Sequence, residues 1–398
     1  MNTLVYINSK DLAPIGGPRG YNYNLKSELD KMKASNIKYI CANTENINVK
    51  VKDFVDNIKI KCLKEVLKTL KSIANRMNII YGKSKEPVTK LNDYDCVHFH
   101  NSLEMYRIRK ALNLYRGKVI LTSHSPSLCS EELIDTASSF EKKYFKKFYR
   151  RLEKVDKYAF NRADYIIFPC KEAEEPYYHG WNYYKSFRES KKNRYRYLLT
   201  GIPPASAKKT KEEIKKIYNI PDDAFIISYV GRHNEIKGYD SLKEIAKVIL
   251  DKYTNVYVLV AGKEGPLYRL INNRWIEVGW TKDPHSIIAA SDVFILPNKE
   301  TYFDLILLEV ISLGVVALIS KTGGNRFFEG KTDGILLYNG NEEAIKLLIE
   351  IMNEDDYIRF NRKKANLELF NSMFTCQVFA QNYIKILEEI SGEVSNGI

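Results

Sequence analysis

Short apolar runs alternate with longer amphipathic stretches along the chain. The first run is Leu4–Ile7, followed by the loop IGGPRGYNYN and by Leu25, Leu29 and Met32 at helical spacing. Further strand-like runs are residues 37–42, CVHFH (96–100), KVILTSH (118–124) and ADYIIFPC (163–170). The rhythm restarts after residue 220 with FIISYVG (225–231), NVYVLVAG (255–262), IEVG (276–279), VFILP (293–297) and VVALIS (315–320). Strand-length runs separated by helix-length stretches predict βα units around parallel sheets, an α/β fold. The two series are split by TGIPPA (200–205), where Gly and Pro-Pro stop any regular element. Helical spacing returns at Phe379, Tyr383, Ile384, Leu387 and Ile390. The pattern therefore predicts one domain over residues 1–200, a second over 201–377, and a closing helix within 378–398 that packs back on the first. Two such domains imply a cleft. In open parallel sheets, ligands bind beyond the carboxyl ends of the strands.

Composition narrows the class. The chain has 398 residues, 44% hydrophobic and 28% charged, a globular mixture. Its six cysteines are scattered singly, which excludes a disulfide framework and a structural zinc site. The opening MNTLVYINSKDL has no basic segment ahead of its apolar run, so a secretory signal is not expected. The longest apolar stretch, Leu305–Ser320, is short and contains Glu309. A reduced, soluble, cytoplasmic protein is expected. Charge adds an asymmetry. Residues 1–200 carry 38 Lys+Arg against 22 Asp+Glu, a net of +16, while the remainder carries −3. The first half should meet something anionic.

Candidate chemistry lies at the strand ends. Gly16 and Gly17 follow the first strand, where glycine lets a backbone approach a ligand. His100 and His124 end their strands. In VGRHNEIKGYDSL (230–242), Arg232 and Lys237 follow a strand and suit a diphosphate, whose charge must be neutralised as it leaves. In PNKETYFDLILLEVISLGVVALISKTGG (297–324), a strand end leads through a polar loop into a helix from about Phe303 to Leu313. A helix N-terminus offers unpaired N–H groups, a phosphate site. Glu309 lies on that helix. The sequence Asp93-Tyr94-Asp95 precedes a strand and reads as a polar loop. No GxSxG elbow surrounds a serine.

GRHNEIKG and ETYFDLILLEVISLGVVALISKTGG resemble the donor-site signatures of the retaining glycosyltransferases of family four, which have the GT-B fold. The likeness extends weakly to the GG loop, to the SH of LTSH and to ADYIIFPCKEA. The resemblance implies two Rossmann-like domains facing an interdomain cleft, with the nucleotide-sugar on the C-terminal one and the acceptor on the other. By position, Arg232 and Lys237 would bind the donor diphosphate and Glu309 the ribose. The N–H groups near Phe303, Asp304 and Leu305 would hold phosphate or sugar. His124 would stand beside the transferring sugar, Gly16 and Gly17 near the phosphates, and Val278–Trp280 near the base. The family carries two glutamates with seven residues between them. The first falls on Thr301 here, with Glu300 one position early, and the usual glycine is Asp304. Either Glu300 through a bulge or Asp304 would fill the missing role. The implied chemistry is retaining transfer from a nucleoside-diphosphate sugar, UDP-linked, by front-side displacement without a metal or other cofactor. The acceptor would be a saccharide or a lipid-linked intermediate of a surface polysaccharide. Two alternatives stay open: a non-catalytic GT-B partner of an active enzyme, and a cytosolic protein-modifying glycosyltransferase.

The run KKYFKKFYRRLEKVDK (142–157) has eight Lys/Arg and two acids, with Phe145, Phe148, Tyr149, Leu152 and Val155 on one helical face. That face should pack on the domain and leave the cations to anionic lipid. NYYKSFRESKKNRYRY (182–197) is a second basic–aromatic stretch. The expectation is peripheral contact with the inner face of the cell membrane. No nucleic-acid motif is present.

Overall fold

The computed structural model describes residues 1–7, 11–14, 17–41 and 61–395. Two compact units emerge. One comprises Met1–Phe168, Tyr177–Leu198 and Tyr383–Ile398, the other Pro169–Pro176 and Leu199–Asn382.

The first unit holds a six-stranded parallel sheet of β1 (Thr3–Ile7), β2 (Ile37–Cys41), β3 (Cys96–Phe99), β4 (Lys118–Thr122), β5 (Tyr165–Phe168) and β6 (Tyr195–Tyr197), in the order β2-β1-β3-β4-β5-β6. β1, β3 and β5 are buried along their whole length, as expected of parallel strands covered on both faces. The apolar pattern does not announce β6. It is a three-residue edge strand, Tyr-Arg-Tyr, whose charge suits an edge. The progression of strands across the sheet reverses between β1 and β3, so the segments leaving these strands diverge there.

The second unit repeats the scheme with β7 (Phe225–Val230), β8 (Val256–Ala261), β9 (Trp275–Gly279), β10 (Val293–Leu296), β11 (Val316–Ser320) and β12 (Ile335–Tyr338), in the order β12-β11-β10-β7-β8-β9. One face of the sheet packs on the helices Tyr239–Lys252 and Gly340–Met352 through Leu242, Ile245, Ile249, Leu348 and Ile351. The other face packs Ile226 and Leu259 against Ile214 and Ile287. The reversal in strand order falls between β7 and β10. This topological switch point is where an open α/β sheet leaves room for a ligand.

Several expectations change here. The basic run 142–157 is not one helix. It forms the helices Ser139–Tyr149 and Glu153–Arg162, joined by the tight turn Arg150–Leu152. The turn re-aims the apolar stripe: Tyr149, Leu152 and Val155 are buried, while Phe148 is exposed. In the second basic–aromatic stretch, Tyr184, Phe187 and Tyr195 are core residues, and Arg188 lies flat over the Tyr195 ring at 3.9 Å. Those rings are therefore not open to a membrane. A long helix, Lys61–Tyr81, was not expected from the pattern. Asp95 Oδ2 accepts from the backbone N–H of Asn2 at 2.7 Å, a local structural role. Among the described residues, no helix is long and apolar enough to cross a membrane.

Candidate functional site

The loops leaving β7 and β10 lie side by side, as the strand order requires. Lys299 N donates to Ile236 O at 3.0 Å. Gly238 has φ +65°, and a Cβ there would stand 1.7 Å from Pro297 O. Only glycine allows the Lys237-Gly238 turn to sit this close. On the other side, a Cβ on Gly323 (φ +43°) would stand 1.9 Å from Thr301 O, and Gly324 N donates to the same carbonyl at 3.3 Å. The TGG turn thus clamps the 297–304 loop from below. Phe303 is buried against Phe327, Phe328 and Phe374, which anchors the loop's end.

This scaffold brings Lys237 and Asp304 together. Lys237 Nζ donates to Asp304 Oδ1 at 2.7 Å. The other carboxylate oxygen accepts from the side-chain amide of Asn298. Asp304 is the residue preceding the helix Leu305–Ser312, two residues shorter at its start and one at its end than the pattern suggested. Its carboxylate is engaged elsewhere and does not cap that helix. The first amides of the helix, Leu305 onward, lack intrahelical acceptors. Arg232 is exposed on the same loop as Lys237; its carbonyl accepts from the Tyr229 hydroxyl at 2.8 Å, while its guanidinium makes no hydrogen bond or ion pair among the described residues. Two cations and a helix N-terminus therefore meet at one sheet edge, an arrangement that attracts a phosphate.

Glu309 faces His285, whose Nε2 lies 3.1 Å from Glu309 Oε2. His285 comes from the helix Pro284–Ala289, capped by Asp283. The hydrogen bond to Glu309 raises the His285 pKa above its ordinary value, against the opposing effect of burial. Glu300 is exposed, whereas Thr301 is buried with no partner for its hydroxyl among the described residues. No bulge turns Glu300 inward. Trp280, at the end of β9, is 71% exposed, and among the described residues no hydrogen bond or ring contact joins it to these groups. Beneath the β7 loop, His233 is fully buried and stacks flat on Tyr239 at 4.1 Å.

In the first unit, His124 follows β4 and His100 follows β3. His100 Nδ1 lies 2.8 Å from His124 Nε2, and their rings stack at 5.1 Å. Gly17 opens the helix Gly17–Lys31, and a Cβ there would meet nothing within 4 Å. Gly16 lies outside the described residues.

The second unit thus gathers Arg232, Lys237, Thr301, Phe303, Asp304, Leu305 and Glu309 on adjoining segments, with Glu300 turned outward. His124 and Gly17 belong to the first unit. Asn298, His285 and the pairing of His100 with His124 escaped the sequence reading. Asn298 had one signal, a polar residue directly after an apolar strand. His285 and the histidine pair had none, since tertiary contact alone joins them to their partners.

Residues 210–367 match the family of glycosyl transferases group 1, and residues 75–185 match glycosyltransferase family 4. The chain is 26% identical over 194 residues to the capsular polysaccharide biosynthesis glycosyltransferase CapM of Staphylococcus aureus, covering 45% of this chain and 51% of that one. It is 27% identical over 188 residues to a UDP-Gal:alpha-D-GlcNAc-diphosphoundecaprenol alpha-1,3-galactosyltransferase of Escherichia coli, covering 44% and 47%. The chain thus spans about half the length of these two relatives. In fold it is similar to the sucrose-phosphate synthase of Thermosynechococcus elongatus, with a TM-score of 0.63, 15% identity and coverage of 99% and 100%. It is also similar to HepE of Anabaena in complex with UDP and glucose, with a TM-score of 0.60, 12% identity and coverage of 98% and 99%. The chain thus has the GT-B fold, its second unit carries the segment that matches the glycosyl transferases of group 1, and its first unit carries most of the segment that matches glycosyltransferase family 4.

Proposed function

We propose that the protein transfers a sugar, with retention and without a metal, from a UDP-sugar to a lipid-linked intermediate of a surface polysaccharide. The observation that carries this reading is the Lys237–Asp304 contact at the start of the helix Leu305–Ser312, with Arg232 free on the same loop. As the sugar–phosphate bond breaks, negative charge builds on the leaving diphosphate. Lys237, Arg232 and the helix amides stabilise that charge where it develops. Glu309, steadied by His285, accepts hydrogen bonds from ribose hydroxyls. Asp304 has both oxygens engaged and Glu309 one, which speaks against either as a covalent nucleophile and for front-side displacement assisted by the leaving phosphate. In place of the family's first glutamate, Asp304 holds Lys237 in position, and Glu300 stays in solvent.

The acceptor follows from the relatives, which act in capsule synthesis and on a diphosphoundecaprenol-linked sugar. Exposed apolar side chains on the first unit support it. Leu63, Val66 and Leu70 on the helix Lys61–Tyr81 and Phe140, Tyr144 and Phe148 on the helix Ser139–Tyr149 are exposed. The two helices are locked by Arg76, which donates to the buried Glu141 carboxylate at 3.2 Å. Apolar groups beside Lys142, Lys143, Lys146 and Lys147 suit an anionic bilayer surface.

A panel of UDP-, GDP-, ADP- and dTDP-sugars, assayed for hydrolysis in EDTA with the product anomer followed by NMR, tests the reading. It expects a UDP-sugar to be turned over with its anomeric configuration retained. Inversion, or loss of turnover in EDTA, contradicts the mechanism. Absence of turnover with every donor returns the non-catalytic partner.

A further inference from the structure

Three histidines form a column in the first unit, His98 and His100 buried and His124 half-buried. His98 and His100 point to the same face of the sheet because they are two residues apart, with ring centroids 4.2 Å apart. His100 stacks in turn on His124. The column is fixed at both ends. His98 Nδ1 lies 2.8 Å from the Tyr383 hydroxyl and its Nε2 2.7 Å from Thr122 Oγ1. Tyr21 presses its ring edge-on against His124 at 4.7 Å and 72°. Burial holds the rings neutral: it pushes the His98 and His124 pKa down to about 3, and that of His100 well below the usual value.

Two neutral imidazoles joined through one hydrogen bond leave a choice of proton position. His100 Nε2 is buried with no partner among the described residues. A proton there would be a donor without an acceptor. Orphaned N–H groups are the rarer outcome in protein interiors, whereas an unpaired acceptor is better tolerated. The proton of His100 therefore belongs on Nδ1, where it is donated to His124 Nε2. His124 then accepts at Nε2 and must carry its own proton on Nδ1. Among the described residues, Nδ1 of His124 makes no hydrogen bond, so this N–H is left to a ligand.

We propose that His100 is a positioning residue: by donating to His124 Nε2 it fixes His124 as the Nδ1–H tautomer, which then offers a hydrogen-bond donor to a sugar hydroxyl oxygen. The assignment rests on the function proposed above, because only a sugar-transferring protein brings a sugar hydroxyl to this N–H.

Two measurements test it. Ring nitrogen-15 shifts of the wild-type protein, with signals assigned by their loss in His100→Phe and His124→Ala, read the tautomers without any substrate. Both rings should be protonated at Nδ1 and bare at Nε2. Protonation of His124 at Nε2 overturns the proposal. Kinetics then separate positioning from packing, using the nucleotide-sugar that the wild-type protein hydrolyses fastest in the panel. His100→Phe fills the space but cannot donate, and should lower kcat by about tenfold to a hundredfold with little change in KM. His100→Asn leaves a void but places an amide N–H near the Nδ1 position, and should restore most of the turnover despite a lower Tm. The reverse order, Phe active and Asn crippled, assigns His100 to packing alone and overturns the proposal. His124→Ala with wild-type turnover removes the sugar contact and the role of His100 with it. The donor panel decides the function itself separately.

Discussion

Lys237 sits between two demands. Its ammonium is paired with Asp304, and in the proposed reaction the leaving diphosphate needs the same charge. In that proposal Asp304 aims the ammonium, and its removal should matter more than removal of the solvent-facing Glu300. Asp304→Asn is expected to reduce turnover by about tenfold or more, and Glu300→Gln by little. Initial rates on one UDP-sugar check the order, and the opposite order returns the missing glutamate's role to Glu300. Lys237→Ala and Arg232→Ala should each lose roughly 2–4 kcal/mol of transition-state stabilisation with the fold intact. His285 supplies a pH signature. Its folded pKa is raised, so the stability it contributes is complete below the ordinary histidine pKa of about 6.5 and is lost as pH rises through the raised value. The Tm gap between wild type and His285→Gln should therefore be widest below about pH 6.5 and narrow as pH rises through the raised value. A gap that widens with pH would refute the His285–Glu309 pairing as the cause.

Among the elements, the close approach of the β7 and β10 loops is the feature on which the site depends. Gly238→Ala combines a left-handed backbone with a Cβ 1.7 Å from Pro297 O, whereas Gly330→Ala has a similar φ of +69° and open space. Both substitutions carry backbone strain of about 1–2 kcal/mol, but only the first must also push the loops apart. Gly238→Ala should show the larger fall in Tm and a loss of turnover that Gly330→Ala does not share. Equal effects would mean that the loops have slack. Most of this architecture was legible in the chain. Ten of the strands follow from apolar runs; those inside the sheets are largely buried on both faces and so read as nearly continuous apolar runs. β6 and β12 did not stand out. β6 is an edge strand with a charge in its centre, whereas β12, the edge strand ILLY, is a four-residue apolar run like β10 that the pattern reading passed over. The positions of Arg232, Lys237 and Glu309 were readable from local motifs. The bonds from Asn298 to Asp304 and from His285 to Glu309 were not, because residues six and 24 positions apart meet only after the sheet has formed.

At the scale of the whole molecule, charge is divided along the chain, +16 in residues 1–200 and −3 beyond. Part of the basic half is spent internally: Arg76 is buried on Glu141, and Arg188 covers Tyr195. The cations of the helix Ser139–Tyr149 remain exposed beside Phe140 and Tyr144. The protein should co-sediment with anionic liposomes at low salt and much less with neutral ones. Replacing Lys142, Lys143, Lys146 and Lys147 by Glu should weaken that binding, each contact being worth about 1 kcal/mol and screened as salt rises. Equal sedimentation with both kinds of vesicle would remove the membrane from the account. The central claim is narrower: the second unit grips a nucleoside diphosphate through Arg232 and Lys237. Calorimetric titration of UDP into the wild-type protein and into the Arg232→Ala/Lys237→Ala double variant tests it most directly. Wild type should bind, and the double variant should lose at least about a hundredfold in affinity, since each charged hydrogen bond is worth roughly 1.5–3 kcal/mol. Equal affinity in the two proteins would contradict it.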